Sequence, residues 1–396
     1  MHDSASWAVR LGEDRFLTQA LHRSYAVFPA DGSGTTPLLS WDDLNTILAT
    51  HRLEPPRLRL SRDGVTVPLD RYSAPFTNRR GVTWHRTHPA ELHARLAAGA
   101  SLVVDAIDAI HPPVGSAAEA LERFLSTPVQ VNAYASWTER EGFGRHWDDH
   151  DVVVVQMHGA KRWKLWGPTR TAPTYRDVQT PEEPQGEPVA DIVLSPGDVL
   201  YLPRGWWHTV TADQGTASLH LTFGLVTHTG ANLVNWVADQ LHNDAVMRMD
   251  IPRHADPVQK SAYLDALRTA MMTALSDPAL IDRWAQSSDT THFGRPSPSL
   301  PYVNNLPPDR GITVRSTAAR ARLTATPDAA TVTLSAAGTE WDFAGQAAPV
   351  LRALLTGEPA TIGELADAAG LEVKDVADLL SVLIRGQALA VVRVAP

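Results

Sequence analysis

Hydrophobic and polar positions change period several times along this chain, and the changes mark its organisation. Near the start, Ser40-Trp41-Asp42-Asp43 precedes Leu44, Ile47 and Leu48 at helical spacing, the pattern of a capped amphipathic helix. Residues 57–60 alternate arginine with leucine and run into Arg62-Asp63-Gly64, which predicts a hairpin. A helix is expected over 89–96 with its proline in the first turn, then a short strand over 101–105. Ser116-Ala-Ala-Glu119 predicts the cap of another helix ending near Leu125. From about 128 to 226 the period drops to two. The segments 129–136, 151–159, 161–167, 191–195, 198–203 and 218–225 are short, β-rich and punctuated by Gly or Pro, as in a barrel or sandwich. The Pro/Thr/Glu-rich stretch 168–190 reads as an exposed insertion. Helical spacing returns over 231–287, with Leu233, Val237 and Leu241 on one face and Leu264, Leu267, Met271 and Leu275 on another. Five prolines between Pro296 and Pro308 mark a boundary. Beyond it come strands at 331–336 and 340–343 and a helix at 348–355. A second helix is opened by a capping box at Thr361–Glu364, a third covers 371–385, and a strand at 388–394 ends the chain. That is the order of a winged helix.

Length and composition narrow the chemistry. At about 150 residues per domain, 396 residues make two or three domains. With no cysteine, disulfides, zinc–thiolate sites, iron–sulfur clusters and Cys nucleophiles are excluded, so a metal must be held by His, Asp or Glu. The formal net charge of −9 argues against a basic surface over the whole protein. The longest aliphatic run, 388–392, is far short of the ~20 residues that span a bilayer, and residues 1–16 lack a signal-peptide pattern. The expectation is a soluble cytoplasmic protein.

The richest stretch is 145–156, RHWDDHDVVVVQ. On a strand, His146 and Asp148 project to the same side, two adjacent corners of a metal octahedron. The same His-x-Asp spacing recurs at His242/Asp244 and His254/Asp256, but in helical surroundings where i and i+2 diverge, so those residues are expected at the surface. The second element is Gly197-Asp-Val-Leu-Tyr-Leu-Pro203-Arg-Gly205-Trp-Trp-His208. Its form, G-x5-P-x-G-x2-H, presents one histidine at the bent end of a strand. Sixty residues separate Asp148 from His208, enough for intervening strands to fold back. Two imidazoles and one carboxylate make the facial triad of non-haem Fe(II) oxygenases. No P-loop, dinucleotide fingerprint, HExxH or G-x-S-x-G is found.

HWDDHDVVVVQMHGAKRW, SPGDVLYLPRGWWH and SLHLTFG together resemble the JmjC-type, cupin-fold 2-oxoglutarate oxygenases, nearest their bacterial, ribosomal-oxygenase branch. The resemblance covers about 90–230, and its more specific part is His146 with downstream Gln156, Gly159, Lys161 and Trp163. It implies an α+β fold, a double-stranded β-helix with flanking helices. The implied domains are a catalytic domain with an α/β extension at 1–228, a helical dimerisation domain at 229–300 and a winged-helix-like domain at 309–396. His146, Asp148 and His208 would hold Fe(II). Lys161, fifteen positions after His146, would pair with the distal carboxylate of the co-substrate 2-oxoglutarate, O2 being the third reactant. The residues alone leave open an outward-facing lysine in the KRWK run. Asn132, Tyr134 and Ser136, at alternate strand positions, would line the same pocket; an ordinary strand face explains them nearly as well.

The implied reaction is hydroxylation of a side chain, His or Arg above all, in a protein or peptide such as a ribosomal protein, by a homodimer. Two other classes stay open: a cupin metalloenzyme that does not use 2-oxoglutarate, and a non-catalytic binding protein on the same scaffold. Whether Lys161 faces the metal cavity distinguishes the first. Six tryptophans crowd the motifs; Trp163 and Trp166 read as core, while Trp147 and Trp206 stay open between core and substrate wall. Asp149, His150 and Asp151 read as a solvent-facing loop, and Arg145 and Arg204 as candidates for the pocket mouth. The last 56 residues carry seven acids against four bases, so DNA binding by the winged helix is not expected.

Overall fold

The structure, a computed structural model, describes residues 4–30, 38–174 and 182–392. The chain divides into two compact units, 1–227 and 228–396, each treated below by itself.

Among its described residues the first unit carries thirteen strands: β1 Ala26–Phe28, β2 Leu58–Arg62, β3 Val65–Thr66, β4 Ser73–Thr77, β5 Thr83–Thr87, β6 Ser101–Val104, β7 Val129–Ser136, β8 Asp151–His158, β9 Ala160–Trp166, β10 Ala190–Leu194, β11 Val199–Leu202, β12 Trp207–Asp213 and β13 Ser218–Leu225. Eight form one sheet in the order β1-β11-β8-β13-β7-β6-β2-β3, and β10-β9-β12 form a second, with every neighbouring pair antiparallel. β4 and β5 stand apart as a hairpin.

β8 explains the unbroken Val152–Val155 run. Val153 and Val155 enter the main core with Leu121, Leu221 and Phe223, while Val152 and Val154 face the smaller cluster of Leu165, Leu194 and Leu200. A strand buried on both faces has no solvent side on which to place polar residues. The outer core is closed by helices. Trp41–Thr50 starts at a capping box in which Ser40 Oγ accepts the Asp43 N–H and the Asp43 carboxylate accepts the Ser40 N–H. Helix Pro112–Leu125 begins four residues before the expected cap: Pro112 and Pro113 occupy its first turn, where a missing N–H costs nothing, and Ser116 lies inside. Its Glu122 is buried and accepts the Val129 N–H at 3.0 Å.

β12 is one of the strands that sequence patterning passed over, along with β1, β4 and β5. Pro203-Arg-Gly205 makes a turn between two strands rather than the bend that ends one, so His208 is the second residue of β12. Another turn joins β8 to β9 through Gly159, whose φ is +63°. A Cβ there would lie 2.0 Å from the Ala217 carbonyl oxygen. Gly159→Ala is therefore expected to lower the unfolding free energy by about 2 kcal/mol or more, from left-handed strain plus a clash with rigid backbone. Urea unfolding measures it, and a loss under about 0.5 kcal/mol, the level of an ordinary surface change, contradicts this account.

The second unit opens with helices Gly230–Gln240, Pro257–Leu275 and Leu280–Thr291. No residue of Pro257–Leu275 is buried, and Leu264 is 54 % exposed. Strands Arg322–Ala325, Thr331–Ala336 and Thr339–Ala344 form one sheet; Thr313–Ser316 lies between Ala360–Thr361 and Leu389–Val391 in another. Helices Ala348–Leu355, Ile362–Ala369 and Val373–Arg385 enclose a core of Val314, Val350, Leu351, Ile362 and Leu380. The expected last strand extends to 394, of which 393 and 394 lie outside the described residues; so does part of the 168–190 insertion. Among the described residues no helix is long and apolar enough to cross a membrane.

Candidate metal centre

Backbone hydrogen bonds bring the two sequence motifs together. The His146 N–H donates to the His208 carbonyl at 3.1 Å, and the His208 N–H returns to the His146 carbonyl at 2.8 Å. One turn earlier, the Gly205 N–H donates to the Asp148 carbonyl at 2.9 Å. Gly205 has φ +82°, and a Cβ there would meet Pro173, so this turn needs glycine. The ligand atoms of His146, Asp148 and His208 consequently lie within 4.8 Å of one another.

The rings are also oriented. His146 Nδ1–H donates to the Gly144 carbonyl and His208 Nδ1–H to the Trp206 carbonyl, each at 3.0 Å. Both tautomers are thereby set with the proton on Nδ1 and the Nε2 lone pair available. Burial, with the adjacent His146, pushes the His208 imidazole down to about 4, which keeps it neutral at physiological pH. His208 Nε2 and Asp148 Oδ2 are 3.8 Å apart. Two imidazoles and a carboxylate are the donor set that suits a divalent iron-type cation, so the residues fit such a metal.

The triad opens onto a cavity of about 240 Å³ between the two sheets. β7 contributes Tyr134 and Ser136, β13 contributes His220 and Thr222, and β9 contributes Lys161 and Trp163. Alternation on β9 sends Lys161 and Trp163 inward and Arg162 outward, where it pairs with Asp191 and Asp213. Lys161 is 2 % exposed and donates from Nζ to Ser136 Oγ at 2.5 Å; among the described residues it has no carboxylate partner. Burial lowers its ammonium from the ordinary 10.5 to about 7. Tyr134 moves the other way, to about 12, through burial and the Asp148 carboxylate, so it remains a neutral hydroxyl. It stacks on His220 with ring centroids 5.0 Å apart. The His220 imidazole is pushed well down by burial and by the Lys161 charge, and its Nδ1 has no hydrogen-bond partner.

Asn132, expected beside Tyr134 and Ser136, is not among the residues lining this cavity; its Oδ1 accepts the Ala106 N–H at 2.9 Å. Trp163, read as core, is buried in the cluster with Val152, Val154 and Leu165, and also lines the cavity, where it stacks on His208 at 5.5 Å. Trp147 packs with Trp166 and Trp207 in an apolar cluster, and Trp206 lies against Tyr25, so neither walls the cavity. Asp151 is no solvent-facing loop residue. It starts β8, is buried, and accepts hydrogen bonds from Tyr201 Oη, His22 Nδ1 and the Arg204 N–H. Arg145 lies over the Trp166 ring at 4.1 Å. Arg59, Ser101, Phe143, His220 and Thr222 line the cavity without having been singled out in the sequence. The signal for His220 was its register, for it pairs with Tyr134 and alternates with Thr222.

Residues 110–233 match the JmjC domain family. Over 102 residues the chain is 39 % identical to the bifunctional lysine-specific demethylase and histidyl-hydroxylase NO66 of Drosophila persimilis, covering 26 % of this chain and 15 % of that protein. It is 34 % identical over 143 residues to ribosomal oxygenase 2 of Rattus norvegicus, covering 34 % and 30 %. The chain thus spans less than a third of the length of these relatives. Among solved structures it is similar to YcfD, a ribosomal oxygenase from Escherichia coli, with TM-score 0.61 and 19 % identity over 95 % of this chain and 97 % of that one. A structure of YcfD with cobalt and 2-oxoglutarate matches at TM-score 0.61 and 20 % identity, over 94 % and 96 %. At that identity the likeness establishes the fold.

Proposed function

We propose that this chain, whose residues 110–233 are a JmjC domain, is an Fe(II)- and 2-oxoglutarate-dependent oxygenase that hydroxylates a side chain of a protein substrate. The observation that carries the reading is Lys161, whose Nζ is buried without a carboxylate partner in the cavity that the triad enters. A desolvated cation is costly unless an anion offsets it. A dicarboxylic acid anchored by its distal carboxylate at Lys161 would direct its other end toward the triad, in line with the complex of YcfD with cobalt and 2-oxoglutarate.

His146, Asp148 and His208 would hold the metal, the two imidazoles offering Nε2 and Asp148 its carboxylate. Iron with 2-oxoglutarate and O2 supplies the oxidising power needed for an unactivated C–H bond. The protein's own residues do the rest. Lys161 takes a proton at Nζ as the co-substrate binds, and Ser136 Oγ aims it. Trp163 and the Tyr134–His220 stack exclude water from the anion. Histidine or arginine in a ribosomal protein is the favoured target, in line with the histidyl-hydroxylase and ribosomal-oxygenase names of the relatives.

An anaerobic titration of metal-free protein with Fe(II) and then 2-oxoglutarate tests this. A visible charge-transfer band requiring both additions is expected. Tight iron binding without the band makes the chain a cupin of other chemistry, and absence of iron binding ends the enzyme reading. We further infer that 229–300 is a dimerisation domain, supported by helix Pro257–Leu275 having no buried residue. We read 309–396 as a winged helix used for interaction, not DNA. Light scattering at micromolar concentration is expected to give twice the 43.1 kDa chain mass, and a monomer contradicts the dimer.

A further inference from the structure

The overall charge of −9 conceals a segment of opposite sign. Residues 51–95 contain nine arginines and four histidines against four acidic residues. They build β2, β3, the β4–β5 hairpin and the helix Pro89–Ala97. The hairpin tip is Asn78-Arg79-Arg80-Gly81, with both arginines exposed. Along its length the Arg86 guanidinium lies over the Phe76 ring at 3.7 Å, and Arg52 lies over Trp84 at 5.4 Å. The two rings meet edge to face at 4.8 Å. Beside the foot of the hairpin, Arg62, Arg71 and Arg95 line a cavity of about 230 Å³ with Val65, Thr66 and Pro68. Arg95 donates to the Arg71 carbonyl at 3.3 Å, which ties that cavity to the start of the hairpin.

These arginines are poorly neutralised. Arg71, Arg79, Arg80 and Arg86 have no carboxylate partner among the described residues, the pairs Arg62–Asp63 and Arg95–Glu91 are exposed, and Arg52 is paired with Glu54 at 3.2 Å. Nothing in the proposed oxygenase chemistry uses this surface, although β2 carries both Arg62 at its edge and Arg59 in the site cavity.

We propose that the face formed by the β4–β5 hairpin and the three-arginine cavity binds RNA. The residue types decide the partner. Guanidinium forks match phosphate oxygens in pairs, and guanidiniums lying over aromatic rings offer flat surfaces on which unpaired bases stack. A row of unneutralised arginines from hairpin tip to foot suits a polymer with a charge on every unit. An acidic peptide would leave the stacking surfaces unused. The negative charge carried by the rest of the chain repels a polyanion elsewhere and favours this one face.

The test is fluorescence anisotropy of a labelled 20-nucleotide oligouridine with the full-length protein, repeated across a potassium chloride series. Micromolar or tighter binding is expected. A variant carrying Arg79→Ala, Arg80→Ala and Arg86→Ala should bind about tenfold or more weakly, with a log–log salt slope shallower by about 2, at ~0.7 per lost phosphate contact. Because all three side chains are exposed, circular dichroism should match the parent. Arg71→Ala, alone, provides a second variant at the hairpin foot and should also weaken binding. No binding at tens of micromolar, or equal binding by all variants, overturns the proposal. So does equal or tighter binding of polyglutamate or phosphatidylserine vesicles, which would reassign the face to acidic proteins or membranes.

Discussion

His208→Ala is expected to abolish the paired Fe(II) and 2-oxoglutarate signal and to reduce turnover at least about a thousandfold, on the order of 4 kcal/mol of lost stabilisation at 1.4 kcal/mol per factor of ten. The reason is geometric as well as chemical. His208 is 3 % exposed, its Nδ1 proton is held by the Trp206 carbonyl, and its backbone is bonded in both directions to His146. Alanine keeps those backbone bonds and removes the imidazole, with its neutral Nε2, its bond to the Trp206 carbonyl and its stack on Trp163. A folded protein without metal affinity is thus the predicted outcome, measured by iron titration beside circular dichroism. Wild-type turnover in this variant would remove the triad from the mechanism. Asp148→Ala should behave likewise, with less risk to folding because Asp148 is only partly buried.

Lys161→Ala is expected to raise the KM for 2-oxoglutarate by about a hundredfold or more, roughly 3 kcal/mol, the range seen when one partner of a desolvated, hydrogen-bonded charge pair is removed. Iron affinity should change little, since Lys161 contacts Ser136 and not the triad. In the unliganded protein burial holds the Lys161 ammonium near 7, so above that pH the site must take up a proton to receive a dicarboxylate. Affinity for 2-oxoglutarate should therefore fall by up to about tenfold per pH unit above pH 7, until the pKa of the bound state is reached. Without co-substrate the same depression acts on folding in the opposite direction. The unfolded chain binds more protons between about 7 and 10.5, so this residue's contribution to stability rises with pH across that window. Lys161→Met should flatten both profiles. A KM that ignores both the substitution and the pH would show that the anion sits elsewhere.

Much of the first unit was legible in the sequence. Strands at 129–136 and 218–225 appear with the expected bounds, because each alternates a side facing the main core with another side along its whole length. The capping boxes at Ser40 and Thr361 are local chemistry and appear where the residues demand them. The start of helix Pro112–Leu125 was hidden because Ser116 mimics a cap while two prolines make the actual first turn. Strand β12 was hidden because Pro203 and Gly205 read as an ending when they are a connection.

What the sequence determined by itself is the set of ligand types and their local spacing. The chain has no cysteine, and a His-x-Asp just ahead of strand β8 precedes a Pro-Gly-bounded histidine, so a metal site of oxygen and nitrogen donors is encoded in residue identity. Which side chains share a cavity was left to tertiary structure. Antiparallel register sets His220 against Tyr134, alternation turns Lys161 and Trp163 inward, and Asn132 is spent on the Ala106 N–H instead of the pocket. The physical reason is range. Propensity, capping and period act over a few residues, whereas pairing between strands separated by tens of residues depends on which faces the whole core can bury together.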